Sequence, residues 1–320
     1  MMAQASSPAA AAHGARADWA SRPERGSMAL LRFMTWLSLR AGRRASRAIV
    51  YGIALYFLLL APAARGASRD YLRRALGREP GWRDLFRHIL AFASTIHDRV
   101  YLLNGRFELF DIAVHGHELV AAATAAGRGA FLMGAHMGSF ELIHALGRRE
   151  PGVRAAMVMY EDNARKINAM LGAINPAAAQ DIIALGRIDS MLNVRRELDD
   201  GVFVGVLGDR TLGGDTTTPV SFLGATAGMP LGPFRMAAVL RRPVIFMVGL
   251  YLGGNRYAVH FEPLADFSDT PREERAAAIE AALGRYAALL EKHCRAAPYN
   301  WFNFFDFWRT APQAPAGRHG

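Results

Sequence analysis

The chain has 320 residues, 52% of them hydrophobic and 21% charged, and a formal net charge of +10. That composition excludes a broadly disordered chain and suffices for one large domain or two small ones. The cationic excess suits anionic lipid, an acidic protein or nucleic acid, but no basic repeat or nucleic-acid signature is present, so nucleic acid is not an expected partner.

Lysine occurs only at Lys166 and Lys292, so nearly every cation is an arginine, the side chain suited to bidentate grip on phosphate. The single cysteine, Cys294, excludes an intramolecular disulfide and a Cys-rich zinc site; it reads as a thiol on a helix.

In chain order, residues 1–17 are Ala-rich without periodicity and read as disordered, as do the last ten, 311–320. Residues 18–78 read as a helical, membrane-associating segment, with helices over 28–40 and 48–60. Within it, residues 48–64 (AIVYGIALYFLLLAPAA) carry no charge and are at the lower limit of length for a bilayer span. Arginines lie on both sides of this run, Arg40 to Arg47 before and Arg65 to Arg78 after, and give no orientation by the positive-inside rule. A helix embedded from one side with its arginines on anionic headgroups, a short span, and a buried core helix all fit the run.

Residues 79–310 read as one domain, without a linker, repeat or sharp break in composition. Trp82, Leu85, Phe86, Ile89, Leu90, Ala93, Ile96, Val100 and Leu103 recur at helical spacing, which predicts a helix over 82–103, with His88 and His97 on it as structural residues. The remainder alternates. Strands are expected at 107–114, 129–133, 155–160, 182–185, 202–207, 219–222 (a short edge strand), 244–252 and 256–263. Helices are expected at 117–126, from about 140, and at 162–172, 188–199 and 231–241. Thr270, Pro271 and Glu273 form an N-cap, proline and capping-box pattern, predicting a last helix to about His293. Such alternation argues for an α/β domain with a central, mostly parallel sheet flanked by helices. The terminal run Tyr299–Trp308 is dense in aromatics, which suits a membrane interface, a lipid groove or a cap on the core.

The segment GAHMGSFELIHALG, 134–147, is where chemistry concentrates. His136 and Glu141 have four residues between them, so on one helix they would diverge by roughly 140°. An apolar strand before them and helical spacing after them place His136 in a strand-to-helix turn, with Ser139 as N-cap and Glu141 in the first helical turn, where the two side chains can meet. No G-x-S-x-G elbow, Walker A sequence or Rossmann glycine fingerprint is present. His136 and His144 lie eight apart without a third ligand at a recognisable spacing, so no metal is expected. What remains is a histidine–carboxylate pair without a protein nucleophile. Such a pair can work as general base on a substrate hydroxyl that attacks a carbonyl, most easily a thioester; a structural histidine beside a glutamate is the other reading the residues alone allow.

Four blocks occur in order: HMGSFE (136–141), LDDGVFVGVLGDR (198–210), TPVSFLGATAGMPLGP (218–233) and AVLRRPVIF (238–246). Together with Trp19 and Glu24-Arg25-Gly26, this set resembles the late lipid A acyltransferase family, the lauroyl/myristoyl transferase group of the His-x4-Asp/Glu superfamily, over roughly residues 17–310. The resemblance implies a glycerolipid-acyltransferase-like domain at the cytoplasmic face of the inner membrane. It implies transfer of an acyl chain from acyl carrier protein, or coenzyme A, to a hydroxyl of a lipid or glycolipid acceptor, with no cofactor beyond that donor. By motif, His136 is the base and Glu141 its partner; Ser139, Asp209 and Arg210 are carried as substrate-binding. Arg210 departs from the Asp-Gln usual there, and either contacts a phosphate or oxyanion or pairs with Asp209. The Arg-Phe-Gly segment is also missing, near Ala173-Ile174-Asn175, which leaves the acceptor open. A thioester hydrolase using the same pair, and a non-catalytic lipid-binding membrane protein, are the competing readings.

Overall fold

The structure, a computed structural model, describes residues 28–143, 152–175, 182–186, 189–210 and 217–308. The expected tails, Trp19, Glu24-Arg25-Gly26 and His144 lie outside these residues.

Helix α1 (Met28–Leu60) holds both expected N-terminal helices, joined through Gly42, whose φ of 78° suits glycine. Helix α2 (Pro62–Leu76) follows after the break at Ala61 and is bent 95° from α1. The bend has identifiable parts. Pro62 begins the new helix, where its missing N–H costs nothing. Arg65 donates to the Leu58 carbonyl (2.6 Å) and lies over the Trp82 ring, satisfying an end of α1 that would otherwise be left without partners. Helix α3 (Trp82–Leu103) packs along α1. Arg43 makes two hydrogen bonds to the fully buried Asp98 (2.7 Å each), and Tyr257 donates to the same carboxylate (2.8 Å). Burial alone would raise Asp98; its bonds to His97, Arg43 and Tyr257 hold it below the usual carboxylate range instead.

The sheet comprises β1 (Asp111–His115), β2 (Phe131–Gly134), β3 (Ala155–Tyr160), β4 (Ile182–Leu185), β5 (Phe203–Leu207), β8 (Pro243–Tyr251) and β9 (Arg256–Asp266), in the order β1-β9-β8-β2-β5-β3-β4. Only the β8–β9 pairing is antiparallel. Alternation along the strands divides the core: Phe131, Met133, Val204, Phe246 and Val248 face one layer, while Ala130, Leu132, Phe203, Ile245 and Met247 face the other. The first layer includes α7 (Gly232–Leu240) and α8 (Arg275–Ala296); the second includes the end of α3 and α5 (Glu161–Ile174). Helices α4 (His117–Ala125) and α6 (Ser190–Asp199) complete the connections.

Several expectations shift locally. Residues 107–109 form a 3-10 turn ahead of β1 instead of strand. The segment expected as an edge strand is β6 (Thr217–Phe222), which pairs with β7 (Ala225–Pro230) in a separate two-stranded hairpin. Helix α8 starts at Arg275, one turn after the predicted cap; Thr270 bonds back to the Asp266 carbonyl and does not cap the helix. The terminal aromatics cap the core: Trp301 is fully buried against Tyr71, Phe222 and Phe307.

Candidate active site

Strands β2 and β5 are parallel neighbours, with Gly134 opposite Leu207. Parallel pairing brings their carboxyl ends to the same edge, so the residues two beyond each, His136 and Asp209, emerge side by side. His136 Nδ1 lies 2.8 Å from Asp209 Oδ1, and the His136 backbone N–H donates to Oδ2 at 3.2 Å. Trp301 Nε1 donates to the same oxygen at 3.0 Å, and the Arg210 guanidinium stands 3.5 Å from it. Asp209 is thus fully buried with its lone pairs engaged. Burial would push its carboxyl up, but His136, Arg210 and Trp301 outweigh that and hold it well below the usual carboxylate range. An ionised Asp209 can only accept, so it fixes the proton on Nδ1 and leaves the Nε2 lone pair free. The imidazole is 38% exposed, which opens that lone pair to a substrate. Desolvation of the ring and the Arg210 charge lower the His136 pKa, which favours the neutral base.

The turn carrying His136 is pinned from two sides. Ser139 N donates to Gly249 O (2.7 Å) on β8, Gly138 N to Asn300 O (2.9 Å), and Phe302 N to His136 O (2.8 Å). Gly138 has a φ of 64°, and a Cβ there would lie 1.9 Å from the Gly249 carbonyl oxygen. The side chain of Asn300 in turn bonds both the N–H and the C=O of Tyr251, locking the C-terminal segment to the end of β8. Glycine at 138 therefore serves a backbone crossing, not a phosphate loop.

The structure distributes the expected site residues between two partnerships. The hydrogen bond expected between His136 and Glu141 is replaced by that between His136 and Asp209. Glu141, also buried, accepts from Ser139 Oγ (2.9 Å) and pairs with Arg99 Nε at 2.6 Å. The physical reason is the sheet: strand pairing across the fold sets the neighbour of His136, whereas Glu141 follows a turn that carries it towards α3. The Ser139 hydroxyl donates to Glu141, and among the described residues it accepts from no helix N–H; of the expected helix from about 140, Leu142 and Ile143 are helical and the continuation lies outside the described residues. Of the alternatives left open for Arg210, the structure shows the pairing with Asp209. Arg210 lies beside Asp209, donates to Phe302 O (2.7 Å) and sits over the Phe305 ring at 4.9 Å. Arg99 and Trp301 had no assigned role in the sequence. Arg99 interrupts the apolar spacing of α3, and Trp301 sits in the aromatic run, but neither pattern names a partner.

His88 and His97 are buried. His88 bridges Ser68 Oγ (2.7 Å) and Trp301 O (2.8 Å), and burial lowers its pKa to about 4. Cys294 is buried, and burial raises its thiol pKa. Among the described residues no group of three or more His, Cys, Asp or Glu side chains is arranged to hold a metal ion.

No curated protein matches the chain. The family model for bacterial lipid A biosynthesis acyltransferases matches residues 82–310, a stretch that contains the whole sheet, His136, Asp209 and the C-terminal segment that pins their turn. With most of its length so matched, the chain belongs to the bacterial lipid A biosynthesis acyltransferase family.

Proposed function

We propose that the protein is a membrane-associated O-acyltransferase in which His136 Nε2 takes the proton of an acceptor lipid hydroxyl. The observation that carries this reading is the His136–Asp209 hydrogen bond on a half-open ring, with the carboxylate ionised and the base neutral. The freed oxygen adds to the thioester carbonyl, the tetrahedral adduct expels the thiolate, and the imidazolium returns its proton to the sulfur. Asp209 stabilises the imidazolium, and Trp301 keeps Asp209 in place. Glu141 retains a part: it holds Arg99 and the Ser139 hydroxyl on the turn that bears the base. Arg99 and Arg210 are the cations available to the charge that develops on the thioester oxygen.

The donor is a thioester of acyl carrier protein or coenzyme A; acyl carrier protein, being acidic, fits the +10 chain. The acceptor is a lipid A-like lipid or glycolipid. The cytoplasmic face of the inner membrane is what the family resemblance implies; for membrane association itself the support is the α1–α2 pair. Among the described residues no single helix is long and apolar enough to cross a membrane, yet the bent α1–α2 pair meets that test together. Leu55, Tyr56, Phe57, Leu59 and Leu60 are exposed near the bend, beside exposed Trp82. Entry from one leaflet, with arginines on anionic headgroups, uses that surface.

The test is acyl transfer by purified protein in mixed micelles, with labelled acyl carrier protein or coenzyme A thioesters and a total lipid extract. A labelled lipid, lost in His136→Ala, supports the reading. Histidine-dependent release of free fatty acid alone replaces it with a hydrolase, and lipid binding without turnover across chain lengths replaces it with a lipid-binding protein.

A further inference from the structure

The fourth sequence block carries Arg241 and Arg242, and the second carries Asp199; none of these serves the His136 site. They meet at the opposite end of the sheet. Arg128 precedes β2, Arg242 precedes β8, and α6, bearing Arg195 and Asp199, leads into β5. Because these strands run parallel, their amino ends converge just as their carboxyl ends do. From Arg128 to His136 the chain runs eight residues, on the order of 25 Å if extended, so the two sites are separate.

The amino ends border a half-open cavity of about 440 Å³ lined by Arg128, Arg195, Arg241, Arg242, Ser268 and Asp269, with Val239 and Leu240 beside them. Four guanidinium groups there face a single lining carboxylate. Asp199 answers part of that charge, pairing with Arg242 and standing 3.6 Å from Arg195 Nε. Arg242 has a side chain only 9% exposed, and its Nε–H has no hydrogen-bond partner. Arg241 holds a left-handed backbone, φ 55°, at the end of α7 and bonds the Ser268 carbonyl at 3.0 Å, which keeps its chain against the rim. Arg128 is exposed and has no partner among the described residues. Converging cations with a buried donor left over are costly without an anion and match the donor forks that bind phosphoryl oxygens.

We propose that this cavity binds a phosphorylated ligand, a diphosphate-sized group carrying at least two negative charges, remote from the acyl-transfer site. Its volume lies within the range of small-molecule sites and exceeds what one phosphate fills. The group belongs either to a soluble phosphate compound or to a phosphomonoester lipid headgroup.

The experiment is calorimetric titration of the full-length protein in neutral micelles with inorganic pyrophosphate, against sodium chloride at matched ionic strength. The expected result is saturable one-site binding, weakened at least tenfold in Arg128→Gln and in Arg241→Gln. Both variants spare the Arg242–Asp199 pair, and their melting temperatures report that they fold. Heat that follows ionic strength alone, or equal affinity in the folded double variant, overturns the proposal. Competition by phosphatidylcholine vesicles containing phosphatidic acid, but not by phosphatidylcholine alone, assigns a headgroup; absence of competition assigns a soluble compound.

Discussion

The two ends of strands β2, β5 and β8 are built from the same parallel pairing and treat charge in opposite ways. At the carboxyl ends, Asp209 is enclosed by three donors, and the turn above it is clamped by backbone bonds to Gly249 and to the 300–302 segment. At the amino ends, four arginines ring a cavity and one buried guanidinium N–H is left over. A carboxylate whose two oxygens both accept from placed donors is preorganised for a reaction step; a ring of four cations with a single lining carboxylate is arranged to wait for an anion.

The comparison is broken most severely by removing the base. His136→Ala is expected to lower acyl-transfer kcat about 10³-fold, within the range for loss of a general base, read in the micelle assay with circular dichroism confirming the fold. Next in size is the clamp. Gly138→Ala places a methyl group into the Gly249 carbonyl and forces a left-handed backbone on alanine, so the turn must move. A loss of about 3 kcal/mol in denaturant unfolding is expected together with a large loss of kcat; unchanged stability would show that the crossing at Gly249 is not as close as described.

Glu141→Gln leaves Arg99 without its charge partner in a mostly buried place, costing about 3 kcal/mol by denaturant melting, while Asp209 still holds the His136 ring. Arg210→Gln sharpens the electrostatic side. Its cation lowers the His136 pKa, so its removal should move the acid limb of the kcat/KM profile to higher pH. A limb that stays put, or moves down, would detach Arg210 from the base. The smallest effect concerns stability alone. His88 has a folded pKa of about 4, below its unfolded value near 6.5, so the unfolded chain binds more protons between these values. Its contribution is present in full above about 6.5 and is lost as pH falls towards about 4; His88→Asn should flatten that part of the stability–pH curve.

Much of the fold is legible because its signals are local. The apolar runs at 129–133 and 202–207 read as buried strands, and the helical spacing from Trp82 to Leu103 matches α3 to the residue. The β6–β7 hairpin was less so: Ala225–Pro230, ATAGMP, carries little strand propensity, and its extended form comes from pairing with Thr217–Phe222. His136, Asp209 and Arg210 stand out as residues, but the link between them does not. Reasoning along the chain pairs His136 with a carboxylate five residues away, whereas the register of β2 with β5 supplies one 73 residues away. Trp301 is harder still. Its indole reaches Asp209 only because Asn300 and Phe302 are stitched to β8 and to the His136 turn, contacts that no spacing encodes.

The most direct test is kcat of Asp209→Asn beside wild type, with the melting temperature of each. Asparagine fits the space but carries no charge, and it can present its amide N–H to Nδ1, which would favour the tautomer that puts the proton on Nε2 and removes the free lone pair. The account predicts a folded variant with kcat reduced about 10²-fold or more, and no new acyl-lipid product. A folded Asp209→Asn protein turning over at the wild-type rate would contradict it and return the imidazole to some other carboxylate.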